Sequence, residues 1–281
     1  MEVLVKLSGY LTNIDAYRRV RIRGLEEETP WAKTFTFKDE LCNEAKIGQY
    51  VMLWIQGVDE IPLSLSAINH ENLSSVTVEK VGEATTALHL KKVGDFISVR
   101  GPYGNSFTLI KGNVLVVGGG IGLAPLRPLI EGLARMGSKI TLIVGANTKR
   151  ELISLKRVKS TLLRHEGKII TVTDDGSYGM KGLATTPMER LLAENVFDVI
   201  YSCGPEPMMR RVFDLAENRG VDVQVCSERI IRCSVGLCGS CVIGKFRVCK
   251  EGPILASEEL RQVLEEFGRC RRDFNGQKIM L

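Results

Sequence analysis

The stretch "RCSVGLCGSCVIGKFRVC", from Arg232 to Cys249, holds half of the chain's eight cysteines. They fall as Cys233-x4-Cys238-x2-Cys241-x7-Cys249. The first three repeat the C-x4-C-x2-C spacing of plant-type [2Fe–2S] sites. Such a cluster needs four deprotonated thiolates converging on a two-iron rhomb, and short links wrap three of them round one side. Gly236, Gly239 and Ser240 let the backbone curl close, so that amide N–H groups can face the sulfurs. A four-cysteine zinc site is a second reading, although zinc ribbons pair two C-x2-C knuckles and only Cys238 and Cys241 make one. Paired disulfides are a third, disfavoured in a reducing compartment.

A second group of residues suits phosphates. "VVGGGIGLAP" (116–125) puts Gly118, Gly119, Gly120 and Gly122 where a strand turns into a helix. Backbone amides and a helix N-terminus can meet a pyrophosphate there, which a side chain would obstruct. The spacing is not G-x-G-x-x-G, and the acidic residue that commonly follows the second strand to hold a ribose is missing. "GANTKRE" offers Asn147, Lys149 and Arg150 instead, cations that suit a 2′-phosphate or simply solvent. Cys203 and Gly204, in "CGPEPMM", lie at another strand end, where parallel sheets bind ligands. Met208 and Met209 read as helix packing, and His70, His89 and His165 lack ligand-like spacing. In "EIPLSLSAIN" Pro62 precedes Ser64 and Ser66, which at period two share a face. "VGEATTALHL" puts Gly82, Ala84, Thr85 and Thr86 at a helix start, and "RGPYGNSF" (100–107) is turn-rich.

The elements that must position these groups divide the chain into three. Residues 1–112 read as short strands: "YRRVRIRGL", "WAKTFTFK", "QYVMLWIQG", "SSVTVEKVG" and "DFISVRG", with one short helix at 83–92. That pattern predicts a small β barrel. Residues 113–226 alternate apolar strands with helices, including "LAPLRPLIEGLARMG" and "KRELISLKRVKSTLLRHEG". This predicts an α/β doubly wound parallel sheet. Residues 227–281 form a small C-terminal iron–sulfur segment followed by a polar helix, "SEELRQVLEEFGRCRRD".

Composition sets limits. A 281-residue chain, 44% hydrophobic and 25% charged, has room for two domains and an appendage. A formal charge of +5 does not call for nucleic acid, and "YRRVRIR" reads as a solvated strand face. "MEVLVKLSGY" is a poor signal peptide, and "VLVVGGGIGLAPL" is too short and glycine-rich to span a bilayer. A cytoplasmic protein without membrane attachment is expected.

Taken in order, the barrel, "GPYGNSF", "VGGGIGLAPL", "CGPEPMM" and the four cysteines resemble the electron-transfer subunit of two-subunit, NAD-linked dihydroorotate dehydrogenases, within the ferredoxin–NADP reductase superfamily. The resemblance covers nearly the whole chain. It implies FAD, a [2Fe–2S] cluster and NAD(P) as cofactors. It places the family's Arg-Pro-x-Ser flavin motif on Ile61, Pro62, Leu63 and Ser64, with isoleucine where many relatives carry arginine. It implies that Gly82, Ala84, Thr85 and Thr86 cradle the FAD pyrophosphate. Gly119, Gly120 and Gly122 would line the dinucleotide, with Cys203 and Gly204 near the nicotinamide. Cys233, Cys238, Cys241 and Cys249 would ligate the cluster.

The implied role is an oxidoreductase subunit of pyrimidine biosynthesis, in a hetero-oligomer (a heterotetramer) with an FMN-containing catalytic partner. A flavin belongs between nicotinamide, which moves electrons as hydride, and a cluster, which moves them singly. No acid–base pair and no orotate site is found, so no catalytic residue is assigned. Subunits of sulfhydrogenases and of bifurcating NAD(P)H–ferredoxin oxidoreductases look similar, and a zinc-ribbon binding module is the alternative of another class. The residues do not choose between NAD and NADP.

Overall fold

The computed structural model describes residues 14–281. The apolar run "MEVLVKLSGY" and the start of the 1–112 segment lie outside the described residues.

Six antiparallel strands close into a barrel in the order β1-β2-β5-β4-β3-β6. They are β1 (Arg18–Glu27), β2 (Ala32–Phe37), β3 (Tyr50–Ile55), β4 (Asp59–His70), β5 (Leu73–Glu79) and β6 (Phe96–Tyr103). The alternation read in "YRRVRIR" is there: Val20 and Ile22 are buried while Arg19, Arg21 and Arg23 face solvent. Period-two side-chain direction produces this on a strand with one wet face. Two short helices, α1 (Glu40–Asn43) and α2 (Glu83–His89), interrupt the barrel. His89 is buried there, its Nε2 2.9 Å from the Val78 carbonyl oxygen, a packing role.

Beyond it lies a seven-stranded sheet, ordered β10-β9-β8-β7-β11-β12-β15. Its parallel strands are β7 (Asn113–Gly119), β8 (Lys139–Ala146), β9 (Lys168–Thr173), β10 (Met180–Lys181), β11 (Val199–Cys203) and β12 (Val223–Cys226). Strand β7 is buried nearly throughout, because helices cover both faces of a parallel sheet. The chain winds outward from β7 through β8 and β9, then returns to β11 on the other side. The switch point therefore falls between β7 and β11, where such sheets open a crevice for ligands. Helix α3 (Leu123–Arg135) leaves β7 and packs on β4 of the barrel as well as on β7, β8 and β11. Buried on nearly every side, it is the shared wall of the two domains.

Two expected helices are shorter. In "KRELISLKRVKSTLLRHEG" only α4 (Leu155–Arg164) is α-helical. A 3-10 turn covers Lys149–Glu151, and Ser154 takes φ 50 before the helix begins. A left-handed residue cannot continue an α-helix. The sheet's other helices are α5 (Thr186–Glu194) and α6 (Glu206–Glu217). In "SEELRQVLEEFGRCRRD" only α7 (Ser257–Arg261) is helical. The rest proceeds by turns, with i→i+3 bonds such as Val263 N–H to Leu260, until Gly268 at φ 76 releases it. Tertiary burial of Leu260, Val263 and Phe267 overrides the helical pattern.

The C-terminal segment is not a free appendage. Its strand β15 (Ile254–Ala256) joins the edge of the large sheet antiparallel to β12. Two small ribbons complete it: β13 (Val242–Ile243) with β14 (Phe246–Arg247), and β16 (Cys270–Arg272) with β17 (Lys278–Met280). Asn105, from the turn-rich "RGPYGNSF", donates to the carbonyls of Glu251 and Ile254 at 2.9 and 2.8 Å. Barrel, sheet and cysteine segment are thereby tied together.

Candidate functional site

The largest hollow at the domain junction measures about 620 Å³. Tyr50 of β3, Ile61, Pro62, Leu63 and Ser64 of β4, and Thr85 of α2 form its barrel wall. Strand pairing sets Tyr50 opposite Ser64, so both reach one face. Ser66 lies beneath, fully buried, its Oγ accepting from Thr77 at 2.9 Å. The opposite wall is Ile121, Ala124 and Pro125 at the start of α3, and residues 227–231 beyond β12 supply the floor.

Three buried polar atoms of this wall, Tyr50 Oη, Ser227 Oγ and Arg229 Nε, find no partner among the described residues. Leaving such a group unmet costs about 1–3 kcal/mol. The residues that carry them all line this one cavity. Arg229 and Arg271 line it where Ile61 supplies no cation, and neither was legible from the flavin motif. Of the expected cradle, Thr85 lines the cleft while Gly82, Ala84 and Thr86 flank it. Thr85 Oγ1 accepts the N–H groups of Val81 and Gly82, both at 2.9 Å, and the Thr86 amide donates to the Gly82 carbonyl at 2.9 Å.

From this cleft a crevice runs across the C-terminal ends of the parallel strands. Glu79, Ile121 and Glu228 border both the cleft and its first part, and Gly119, Gly120, Asn147, Glu151 and Pro205 continue into a second part of about 410 Å³. Gly120 has φ +53, and a Cβ there would meet nothing within 4 Å, so it presents bare backbone to the crevice. Gly119 is close-packed instead: a Cβ would lie 2.7 Å from Met208 Sδ. Met208 therefore lines the crevice, whereas Met209 is buried in the core as expected.

Two expected dinucleotide residues do not border the crevice. Gly122 lies against β11, where a Cβ would sit 2.5 Å from the Cys203 carbonyl, so its glycine serves helix–strand packing. Cys203 is fully buried, its Sγ 3.5 Å from the Cys226 carbonyl oxygen. Gly204, next to it, does line the crevice.

The crevice also holds two carboxylates. Glu151 and Asp174 both line the crevice, and Asn147 Nδ2 donates to Glu151 at 2.6 Å. The cations have other occupations. Lys149 Nζ lies 5.5 Å from the Tyr178 ring centre, Arg150 lies 5.3 Å from that of Trp31, and Arg211 pairs with Glu189.

The cysteine loop packs behind Tyr50. Cys241 and Cys249 are buried, Cys233 is half-buried and Cys238 is exposed. Left-handed residues Ser234, Gly236 and Gly239 curl the backbone. The amides of Leu237 and Cys238 point at Cys233 Sγ, 3.4 and 3.5 Å away, and that of Cys249 at Cys241 Sγ, 3.4 Å away. Burial pushes the Cys233 thiol up, but bonds from the amides of Cys238, Leu237 and Val235 outweigh it and bring it down to about 6. Burial and the neighbouring Cys241 push Cys249 up to about 12. Holding Cys249 as a thiolate thus calls for positive charge beside it, which a metal centre supplies. Among the described residues no three thiols, imidazoles or carboxylates close on one point.

The loop is fastened from two sides. Arg100 of β6 is bidentate on Glu60 of β4 and donates to the Cys233 carbonyl. Arg229 and Glu206, the first residue of α6, make a buried bidentate ion pair. Glu206 also accepts the Gly268 amide at 2.8 Å.

Comparison with known proteins bears on the whole chain. A family model described as the iron–sulfur cluster binding domain of dihydroorotate dehydrogenase B matches residues 228–261. One for an oxidoreductase NAD-binding domain matches residues 116–214. The dihydroorotate dehydrogenase B (NAD(+)) electron transfer subunit of Methanocaldococcus jannaschii is 42% identical over 261 residues, 92% of this chain and 96% of that one. Its Pyrococcus furiosus counterpart is 38% identical over 262 residues, covering 92% and 98%. Among solved structures, one of an NADH-dependent reduced ferredoxin–NADP oxidoreductase superposes with a TM-score of 0.77 at 32% identity, covering 88% of this chain and 93% of that one. The cytochrome b5 reductase domain of Ulva prolifera nitrate reductase shares the fold, with a TM-score of 0.62 at 15% identity, over 74% and 94%.

Proposed function

The chain belongs to the electron transfer subunits of dihydroorotate dehydrogenase B, and we propose that its cleft holds FAD, its crevice NAD and its cysteine loop a [2Fe–2S] cluster, with the flavin between the other two. The protein is an oxidoreductase subunit that carries FAD, an iron–sulfur cluster and NAD(P) and works with a catalytic subunit in a hetero-oligomer. One observation supports the arrangement above all. A continuous crevice leads from Asp174 past Gly120 to Ser64, and the cysteine loop lies directly behind the same cleft.

Each group of residues has a part. Pro62, Leu63, Ser64 and Thr85 would hold the flavin against β4, with Gly82, Ala84 and Thr86 shaping the turn beside it. Ser227 and Arg229 offer it their unmet polar atoms. Gly119, Gly120 and Gly204 let the dinucleotide approach the backbone, while Gly122 and Cys203 keep α3 tight against β11. Cys233, Cys238, Cys241 and Cys249 would bind the cluster, with loop amides directed at the sulfurs. When bound, the flavin supplies the exchange between hydride and single electrons. The chain's own residues orient the two ring systems and exclude water between them. We assign residues 1–112 to the flavin domain, 113–226 to the dinucleotide domain and 227–281 to the cluster segment, whose β15 completes the second domain's sheet.

The lining of the crevice supports NAD over NADP. Glu151 and Asp174 can accept from a ribose diol and would repel a 2′-phosphate, and the nearby cations are engaged elsewhere. Cytoplasmic placement is supported by free thiols suited to a reducing compartment, and no described helix is long and apolar enough to cross a membrane.

Reconstitution tests the assignment. Alone, the holo-chain should pass electrons from NADH to artificial acceptors and show no activity with dihydroorotate. Adding the FMN-bearing catalytic subunit should create dihydroorotate-dependent NAD reduction. Dihydroorotate oxidation by the isolated chain, or co-purification with a hydrogenase subunit instead, would refute it.

A further inference from the structure

Tyr50 is a buried tyrosine placed where phenylalanine would pack equally well. It is 3% exposed, and its Oη meets no partner among the described residues. Its ring lines the flavin cleft, while the same side chain shares a packed core with Cys241 and Cys249, against which Cys233 also packs. The ring is thus the partition between cleft and cysteine loop. Its orientation is fixed by Tyr103 on the neighbouring strand, ring centres 5.9 Å apart.

A second hydroxyl meets it there. Ser234 adjoins Cys233, adopts φ 62, is 3% exposed, and also has an unpartnered Oγ. Ser234 faces Tyr50 without completing a hydrogen bond, and it does not line the flavin cleft. Tyr50 lies in the core that holds Cys241 and Cys249, and Ser234 follows Cys233 in the chain, so both unmet hydroxyls belong to the surroundings of the cysteine loop.

We propose that Tyr50 and Ser234 are positioning residues that donate hydrogen bonds to the sulfur shell of the cluster and raise its reduction potential. Donors to cluster sulfur favour the reduced form, which carries one more negative charge. The pair would thereby set how readily an electron crosses from the cleft into the loop, with the Tyr50 ring as the wall it crosses. The inference rests on the assignment of the four cysteines as ligands.

The test is an EPR-monitored redox titration of the purified holo-chain and of its Tyr50→Phe and Ser234→Ala variants. Each variant should show about a tenfold lower ratio of reduced to oxidised cluster at a fixed poise, a midpoint shift of about 59 mV for a one-electron couple. Iron content should stay as in the wild type in both variants, and FAD content and the flavin midpoint should stay so in Ser234→Ala, which does not line the cleft. An unmoved cluster midpoint in both variants overturns the proposal. So does a shift in the flavin midpoint instead, or loss of iron from variants that keep all four cysteines, which would make the role structural. Should Tyr50→Phe fail to fold, Ser234→Ala carries the decision. Failure of the ligand assignment reads out separately, as iron retained in Cys238→Ser.

Discussion

Arg100 Nη1 lies 3.2 Å from the carbonyl oxygen of Cys233, so the first thiol of the cysteine loop hangs from a barrel strand. The guanidinium is itself held by Glu60, at 2.5 and 2.8 Å. Arg100→Gln should weaken this attachment. Hydrogen bonds to charged groups contribute about 1.5–3 kcal/mol, so the urea midpoint should fall accordingly. Cluster reduction after NADH addition should slow while flavin reduction does not. Equal slowing of both in stopped-flow traces would show that the contact does not serve the relay.

Cys233→Ser, Cys238→Ser and Cys241→Ser should each lose most bound iron, since the wrap of the loop leaves no spare thiol. Cys270→Ser should keep it, because Cys270 sits in β16, paired with Met280 and outside the loop. Iron analysis of the purified variants decides this, and full iron in the first three would remove the loop from the site.

Two glycines only two positions apart should fail differently. Gly120→Val meets open space but a left-handed backbone, which costs about 1–2 kcal/mol. It should fold, bind NADH poorly and bleach the flavin slowly. Gly122→Ala drives a Cβ to 2.5 Å from the Cys203 carbonyl, and overpacking of that kind costs about 1–3 kcal/mol. Its main effect should be a lowered melting temperature. Wild-type bleaching by Gly120→Val would exclude the glycine turn from dinucleotide binding.

Replacing both carboxylates, Glu151→Gln with Asp174→Asn, should narrow the preference for NADH over NADPH by roughly tenfold, about 1.4 kcal/mol. Equilibrium binding of the two nucleotides measures it without reference to turnover. An unchanged ratio would assign specificity elsewhere.

Asp39 gives the chain a defined acid sensitivity. Burial pushes its carboxyl up, but Arg18, 2.8 Å away, and the Cys42 amide, 2.9 Å away, outweigh burial and hold it below the ordinary carboxylate range. The unfolded chain therefore takes up the proton more readily. The stabilisation is complete above the unfolded value of about 3.9 and is lost as pH falls through the lower folded value. Asp39→Asn should be less stable than wild type at neutral pH by a margin that stays constant down to about pH 5 and closes below pH 4. A margin independent of pH in urea titrations would contradict this.

The parts of the site that could be read from sequence are those where one residue type does one job at a fixed spacing. The cysteines, the glycine turn and Pro62–Ser64 belong to that class. Alternation of burial made the barrel and the parallel sheet legible for the same reason. What escaped depends on chain segments far apart in sequence. Glu151 and Asp174 become neighbours only because β8 and β9 are adjacent in the sheet. Arg229 matters through Glu206, and Tyr50 through a loop nearly two hundred residues later. The shortened helices escaped because periodicity cannot report a left-handed residue such as Ser154. Nor does it report that Leu260, Val263 and Phe267 are claimed by a core the helix would have to leave.

Strand β15 lies along the outer edge of β12 and gives that edge its only neighbour on that side. A chain cut after Cys226 would leave open, on an apolar strand, the backbone groups of those β12 residues that face away from β11. Unpaired edges of that composition recruit other strands. The cysteine segment thus also guards the protein against self-association, and any swap of it between relatives must carry a replacement for Ile254–Ala256 or yield aggregates.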